Sequence, residues 1–368
     1  MDPVKILKRA WSILWSYRAL WIFGLILALA TARSTGRGSN NRVQYQQGPG
    51  EPPPTPQSLQ EAFRQAGQEL EKLLHQGIPD ANITGEALKS FLWTIGGFFL
   101  FMLVLGIVLT VARYVAETAV IRMVDEYEAS GSKMTVLQGV RTGWSNTSWR
   151  LFLIDLIVSL PAILLILMLL GAGVGFYFAV TRGDPNFSTP NLVILIGFIF
   201  LVILAAVILS IILHLLRHFF WRVCVLEGAG VRESLRRGFA FVRENWRNVG
   251  LMWLVMIGLG IVWAVASIIL FLVTIPVVLV TAILALLVIA VPFLLLVGAF
   301  SLFLGGPLPW IAAGLFVLPL FFMIAFSPWV LFGSWQSVYT STVWTLTYRE
   351  IKALPALAPI TTPQPATD

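Results

Sequence analysis

His214 and His218 lie four residues apart, so any helix that carries them places both imidazoles on one face at a spacing suited to metal ligation. Cys224 and Glu227 follow closely in the sequence. A zinc site needs further nitrogen, sulfur or oxygen donors, and contacts to lipid headgroups account for histidines beside Arg217 and Arg222 more simply. No metal and no cofactor is expected. Asp155 stands about five residues inside a long apolar run, where a carboxylate raises the question of proton coupling or ion binding. Its shallow position favours local pairing instead, for example with Arg150, or solvation at a helix end.

Glu227, Glu233 and Glu244 punctuate the basic segment "RVCVLEGAGVRESLRRGFAFVRENWR". Pairing with the neighbouring arginines is the expected role; acid–base catalysis by two of them would need a substrate pocket that the sequence does not indicate. "GAGVG" at 171–175 lacks the strand, helix start and distal acid of a dinucleotide site, and its glycines fit close helix packing. No catalytic residue is assigned. The positions left as functional or lipid-contact candidates are Asp155, His214, His218, Glu227, Arg236, Arg237, Trp246 and Arg247.

The elements that must carry these residues are set by composition. Of 368 residues, 58% are hydrophobic and only 12% are charged, an inventory from which no soluble surface can be assembled. A lone cysteine, Cys224, excludes an intrachain disulfide framework. The fold class is therefore all-α, a polytopic integral membrane bundle. Ala19 to Ala32 is too short to span alone and needs the preceding "VKILKRAWSILWSYR" as an interfacial lead-in. A signal peptide is the competing reading of that segment. Phe91 to Ala112, Leu151 to Val180 and Asn191 to Leu213 are further spans, and residues 248–348 carry no charge at all. Six prolines from Pro276 to Pro328 leave that last block open. Seven crossings would use Leu251 to Thr274, Val277 to Leu304 and Ile311 to Gly333; six would treat part of the middle run as re-entrant or tilted around Pro292.

Charge placement sets the orientation. Residues 1–31 hold four basic groups and one acidic, 113–150 hold five and four, and 217–248 hold seven and three. These three segments are expected in the cytoplasm, with 33–90 outside, and Arg349 and Lys352 draw the C-terminus to the cytoplasmic side. An even count follows, so six crossings are preferred to seven. The expected organisation is a lead-in and first span at 1–32, a Gly/Pro-rich external insertion with a short amphipathic helix at 33–90, the bundle at 91–352, and a flexible tail at 353–368. The formal net charge of +7 is then an orientation and headgroup signal, with no nucleic-acid partner expected.

"LKRAWSILWSYR" from Leu7, "VRTGWSNTSWR" from Val140 and "LRRGFAFVRENWR" from Leu235 share a pattern of branched apolar residue, basic character, small residue and aromatic, and each leads into an apolar span. Tryptophan and arginine at that depth keep polar atoms among headgroups while their apolar bodies pack below. Three interfacial amphipathic elbow helices on one membrane face are expected, built from an internal repeat of helix pairs; a general likeness among anchored membrane helices is the other explanation. Trp11, Trp15, Trp144, Trp149, Trp221, Trp246, Trp335 and Trp344 look like boundary anchors.

"CVLEGAGVRESLRRGFAFVRENWRNVG", "VYTSTVWTLTYREI" and "AVIRMVDEYEASGSKMTVLQGVRTGWSNTSWRLFLIDLIVSLP" resemble an uncharacterised bacterial multispan family related to the membrane domain attached to some glycerophosphodiester phosphodiesterases. The resemblance runs from about Phe91 to Lys352, leaves 33–90 outside, and implies about six helices with a membrane-accessory role. The soluble phosphodiesterase domain of the enzyme-linked relatives has no counterpart in this chain. The expectation is a non-enzymatic scaffold or accessory protein of the bacterial inner membrane, contacting anionic phospholipid headgroups and engaging another membrane protein or a second copy of itself. A transporter or lipid-handling protein using the proline-rich region is the alternative, and a membrane enzyme uniting Glu227, Cys224 and the histidines is the third reading.

Overall fold

The computed structural model describes residues 1–35, 85–181 and 189–357. Among them lie ten α-helices: α1 Pro3–Ser16, α2 Ala19–Thr35, α3 Gly85–Ser130, α4 Val136–Gly143, α5 Asn146–Thr181, α6 Thr189–Leu226, α7 Val231–Glu244, α8 Trp246–Ser301, α9 Leu308–Ala325 and α10 Ser327–Leu357. Five of them contain stretches long and apolar enough to cross a membrane, at 92–130, 146–175, 196–226, 246–301 and 308–325. The pair α1–α2, bent by 102°, makes a sixth if counted as one span. The protein is thus an all-α polytopic membrane bundle of five to six crossings. The amphipathic helix and the flexible tail expected within 33–90 and 353–368 lie outside the described residues, apart from the ends of α2, α3 and α10.

The seven-crossing count fails at Pro276. The chain continues as one 56-residue helix through both Pro276 and Pro292, so neither a loop at 275–276 nor a re-entrant break at Pro292 is present. A proline inside a helix leaves the carbonyl four residues earlier without its donor, a defect that spanning helices tolerate. The helix stops instead after Ser301, before "GGP", where Gly306 adopts a φ of +62° that side chains disfavour. At 1.5 Å per residue α8 is about 84 Å long, against about 30 Å of hydrocarbon.

The three lead-ins fold as three short helices, α1, α4 and α7, each followed directly by an apolar helix, α2, α5 or α8. In α1 the Asp2 carboxylate accepts from the backbone N–H groups of Val4 and Lys5, and Pro3 occupies the first turn, where its missing N–H costs nothing. Ile6, Ala10, Ile13 and Leu14 then form one buried stripe. In α4 Thr135 and Gln138 form a capping box that stabilises only two turns. In α7 no side chain caps Gly230, but Glu233 in the first turn and Arg243 in the last complement the helix dipole.

The chain divides into two compact units. The first comprises Met1–Thr31, Val111–Ile269 and Leu331–Asp368. Its core joins Leu20, Phe23, Met123, Phe219, Met252, Val343 and Ile351, with a second cluster of Tyr114, Ile121, Leu151, Ile154, Phe220, Trp221 and Cys224. The second unit comprises Ala32–Thr110 and Leu270–Val330. Within it α8 packs on α9 through Ala285, Ile289, Val317 and Ala325, and the Thr281 hydroxyl donates to the Ala325 carbonyl at 2.6 Å.

Candidate functional site

Three helices of the first unit bear polar stripes. On α6 the stripe is His214, Arg217, His218, Trp221 and Arg222, spaced by three and four residues so that it follows one side of an otherwise apolar helix. On α3 it is Tyr114, Glu117, Thr118, Arg122 and Asp125, and on α10 Ser341, Thr342, Thr345, Tyr348, Arg349 and Lys352. Charged groups in such surroundings must be paired and hydrogen-bonded. They are, in three clusters met in order along α6.

The first cluster centres on Asp155. Arg217 Nη1 donates to its Oδ1 at 2.9 Å and the Tyr114 hydroxyl to its Oδ2 at 2.7 Å. Local pairing of Asp155 was anticipated, but its partner is Arg217 from α6 and not Arg150, whose guanidinium donates to the Gly228 carbonyl at 3.0 Å. Arg150 lies five residues before Asp155 on the same helix, a spacing that puts the two on different faces, and its long side chain reaches the loop before α7 instead. The Arg217 guanidinium also lies 4.9 Å from the Trp221 ring centroid.

The second cluster is the most deeply enclosed. The Arg222 side chain has no solvent exposure; its Nη1 donates to the His218 carbonyl at 2.8 Å and its Nη2 to the Ser341 carbonyl at 3.0 Å. The Ser341 hydroxyl donates in turn to Glu117 Oε1 at 2.7 Å, and that oxygen is 3.7 Å from Arg222 Nη2. The His218 ring stacks on Trp344 at 5.0 Å. Cross-helix pairing has thus drawn Arg222 inside. Trp221 and Trp344, at 4% and 3% exposure, are likewise core residues and not boundary anchors.

The third cluster lies just past the end of α6. Glu227 accepts from Lys352 at 2.7 Å, from the Tyr348 hydroxyl at 2.6 Å and from Arg237 at 3.3 Å. Partial burial raises the Glu227 carboxyl, but the bonds from Lys352, Tyr348 and Arg237 outweigh it and hold the group below its ordinary range. Arg237 also bridges to Glu233 one turn away. The expected pairing of these glutamates with nearby arginines is thus realised at Glu227 and Glu233. Nearby, Arg349 pairs with Asp125.

These contacts fasten the short helices to the bundle. Arg9 of α1 pairs with Glu128 of α3, Lys133 donates to the Ser16 carbonyl at 2.8 Å, and Arg122 donates to the Thr142 carbonyl at 2.8 Å. The repeated motif now has a structural meaning. Its small residue, Ala10, Gly143 or Gly238, is buried in each copy, while the cation before it and the aromatic after it (Arg9 and Trp11, Arg141 and Trp144, Arg237 and Phe239) are exposed. A Cβ on Gly143 would stand 2.5 Å from the Val115 carbonyl oxygen, and one on Gly238 would stand 2.5 Å from the Phe220 ring. The close packing assigned to Gly171 and Gly175 is absent: a Cβ at either meets nothing within 4 Å.

The remaining candidates lie apart. Arg236 is exposed, and Trp246 is exposed with the Arg247 guanidinium 5.7 Å from its ring. His214 and His218 are edge to face at 5.1 Å, Cys224 is enclosed by apolar side chains, and Glu227 turns to α7 and α10. Among the described residues no three His, Cys, Asp or Glu side chains gather as a metal site. Glu117, Arg222, Ser341 and Tyr114, which complete the clusters, were not singled out from the sequence. Their signals are the helical spacing of charge in "RYVAETAVIRMVDEYEAS" and the hydroxyl density of "SVYTSTVWTLTY".

The arrangement is that of a multi-span membrane protein whose internal charges tie helices together. The chain belongs to a family of unknown function, DUF7544, whose model matches residues 7–348. That match begins within the first short helix, so the α1–α2 pair falls inside the family's extent, unlike the resemblance that started near Phe91. Neither the curated proteins nor the solved structures contain a match.

Proposed function

We propose that the protein is a non-enzymatic scaffold or accessory factor of the bacterial inner membrane. The observation that carries this reading is that the charged side chains of the bundle engage one another across α3, α6 and α10. Paired in this way they fix helix ends and hold the short helices in place, work suited to a rigid platform. The platform presents Arg9, Arg141, Arg236 and Arg237 with Trp11, Trp144 and Phe239, a combination suited to anionic phospholipid headgroups.

The first and last described helices meet: the Asp2 N–H, at the start of α1, donates to Glu350 Oε1 of α10, and the Tyr339 hydroxyl to the Leu7 carbonyl, both at 3.3 Å. This supports an even number of crossings, six, and the net-positive segments favour the cytoplasm for both ends. On the same footing, a relation to the phosphodiesterase-linked membrane domain rests on the three quoted sequence segments alone. The helix runs uninterrupted through Pro276 and Pro292, so a transport site in the proline-rich region would have to use the breaks after Ser301 and at Phe326.

Cross-linking in intact membranes, paired with flux assays on the purified protein in liposomes, tests the proposal. A scaffold gives a discrete cross-linked complex, with a second copy or another membrane protein, and leaves solute and lipid movement at the level of empty liposomes. Sustained flux would replace the scaffold by a transporter or lipid-handling protein.

A further inference from the structure

Arg113 stands where the charge-free run of α3 ends, half-buried, with its guanidinium 5.8 Å from the Tyr114 ring centroid. Among the described residues it has no carboxylate within ion-pair distance. The nearby acid is already committed, because Asp155 gives one oxygen to Arg217 and the other to Tyr114. Arg113 packs beside the Tyr114 ring, Tyr114 donates to Asp155, and Asp155 also accepts from Arg217, so two guanidiniums share the neighbourhood of one carboxylate. One positive charge is left over beside an apolar span.

The same place is short of acceptors. Arg217 Nε and Trp221 Nε1 are enclosed without a hydrogen-bond partner, and Trp221 is only 4% exposed. Guanidinium and indole groups only donate, so the surplus cannot be met from within the cluster. An anionic group rich in oxygens supplies the missing charge and accepts from the N–H groups of Arg113 and Arg217 that remain accessible, the Arg217 side chain being 22% exposed. Exposed aliphatic side chains follow on the same three helices, among them Val111 on α3, Leu160 on α5 and Ile211 on α6. Trp149, exposed and 5.0 Å from Phe152, adds an aromatic rim of the kind found at headgroup depth.

We propose that Arg113 and Arg217 hold the phosphate of an anionic glycerophospholipid between α3, α5 and α6, with its acyl chains along the exposed aliphatic surface of those helices. The site is separate from the cations of the short helices, and it stands whether or not the scaffold role does. Asp155 and Tyr114 act as positioning residues: they hold the Arg217 guanidinium in place and leave its remaining N–H groups for the ligand.

Delipidated full-length protein in detergent, titrated by native mass spectrometry with dioleoyl phosphatidylglycerol, dioleoyl phosphatidylcholine and inorganic phosphate, tests the assignment. Phosphatidylglycerol is expected to bind at least about tenfold more tightly than phosphatidylcholine. Arg113→Gln is expected to lose about tenfold of that affinity, the worth of one charge-assisted bond, and Arg113→Lys to keep most of it. Equal binding of the two lipids, or unchanged binding by Arg113→Gln, overturns the proposal. Displacement of the lipid by millimolar phosphate overturns its lipid source in favour of a soluble anion. A photoreactive phosphatidylglycerol used on the unmodified protein makes the test independent of whether the variants fold: it should label peptides around 113 and 217, and labelling confined to other regions sinks the assignment.

Discussion

Replacing Glu117 by Gln keeps an oxygen for the Ser341 hydroxyl but strips the countercharge from Arg222, which has no exposure to solvent. At 3.7 Å and an effective dielectric of about 20, the lost attraction is roughly 4–5 kcal/mol. Arg222 retains its bonds to the His218 and Ser341 carbonyls, which lowers the net cost to about 3 kcal/mol, the bottom of the range for breaking a buried pair. Arg222→Met should cost a similar amount by stranding Glu117. Replacing both residues together removes both charges, and the double variant should return to within about 1 kcal/mol of the native protein. Thermal unfolding in detergent reads this as a fall of about 6 °C or more for each single variant and a partial recovery for the double. Strictly additive effects would refute the reasoning, because they would mean that Arg222 and Glu117 do not act on one another.

The other expectations concern packing and pH. Gly143→Ala forces a Cβ against the Val115 carbonyl and should cost about 1–3 kcal/mol, whereas Gly171→Ala meets open space and should be neutral or slightly stabilising; equal melting temperatures for the two would contradict the packing described for the short helices. The Glu227 carboxyl is held below its ordinary range in the folded protein, so its contribution is complete above the unfolded carboxylate pKa of about 4.3 and is lost as pH falls through the lower folded value. Melting curves between pH 3 and 7 should show a decline on the acid side that is shallower in Glu227→Gln. An unchanged slope in that variant would show that the Lys352, Tyr348 and Arg237 contacts carry no proton linkage.

The class of the fold was legible because hydrocarbon solvent imposes long apolar runs and confines charge to their ends. The short helices were legible for a related reason: Lys8, Arg9 and Trp11 in one copy, and Arg236, Arg237 and Phe239 in another, mark a boundary between two solvents. The course of the 248–348 block was not. With no charge there, proline was the remaining punctuation, and a proline inside a helix costs too little in a bundle to ensure a break, as Pro276 and Pro292 show.

The interior clusters were only half visible. Asp155 could be picked out as a carboxylate in a span, but the identity of its partner depends on how α3, α5 and α6 pack, and Arg217 comes from 62 residues away. Arg222 was not legible because sequence does not distinguish a residue facing headgroups from one facing Ser341 and Glu117 on other helices. Its neighbours held part of the answer, since hydroxyls at 341, 342, 345 and 347 make α10 too polar to face lipid on that side.

The central claim is that α1, α4 and α7 form one platform on a single side of the membrane. Single cysteines in place of Lys8, Arg141 and Arg236, all exposed, report this directly when a membrane-impermeant maleimide is applied to right-side-out and to inverted vesicles. The native Cys224 is fully enclosed and supplies little background. All three positions should label in inverted vesicles and stay protected in right-side-out ones; any one of the three labelling from the opposite side would contradict the account.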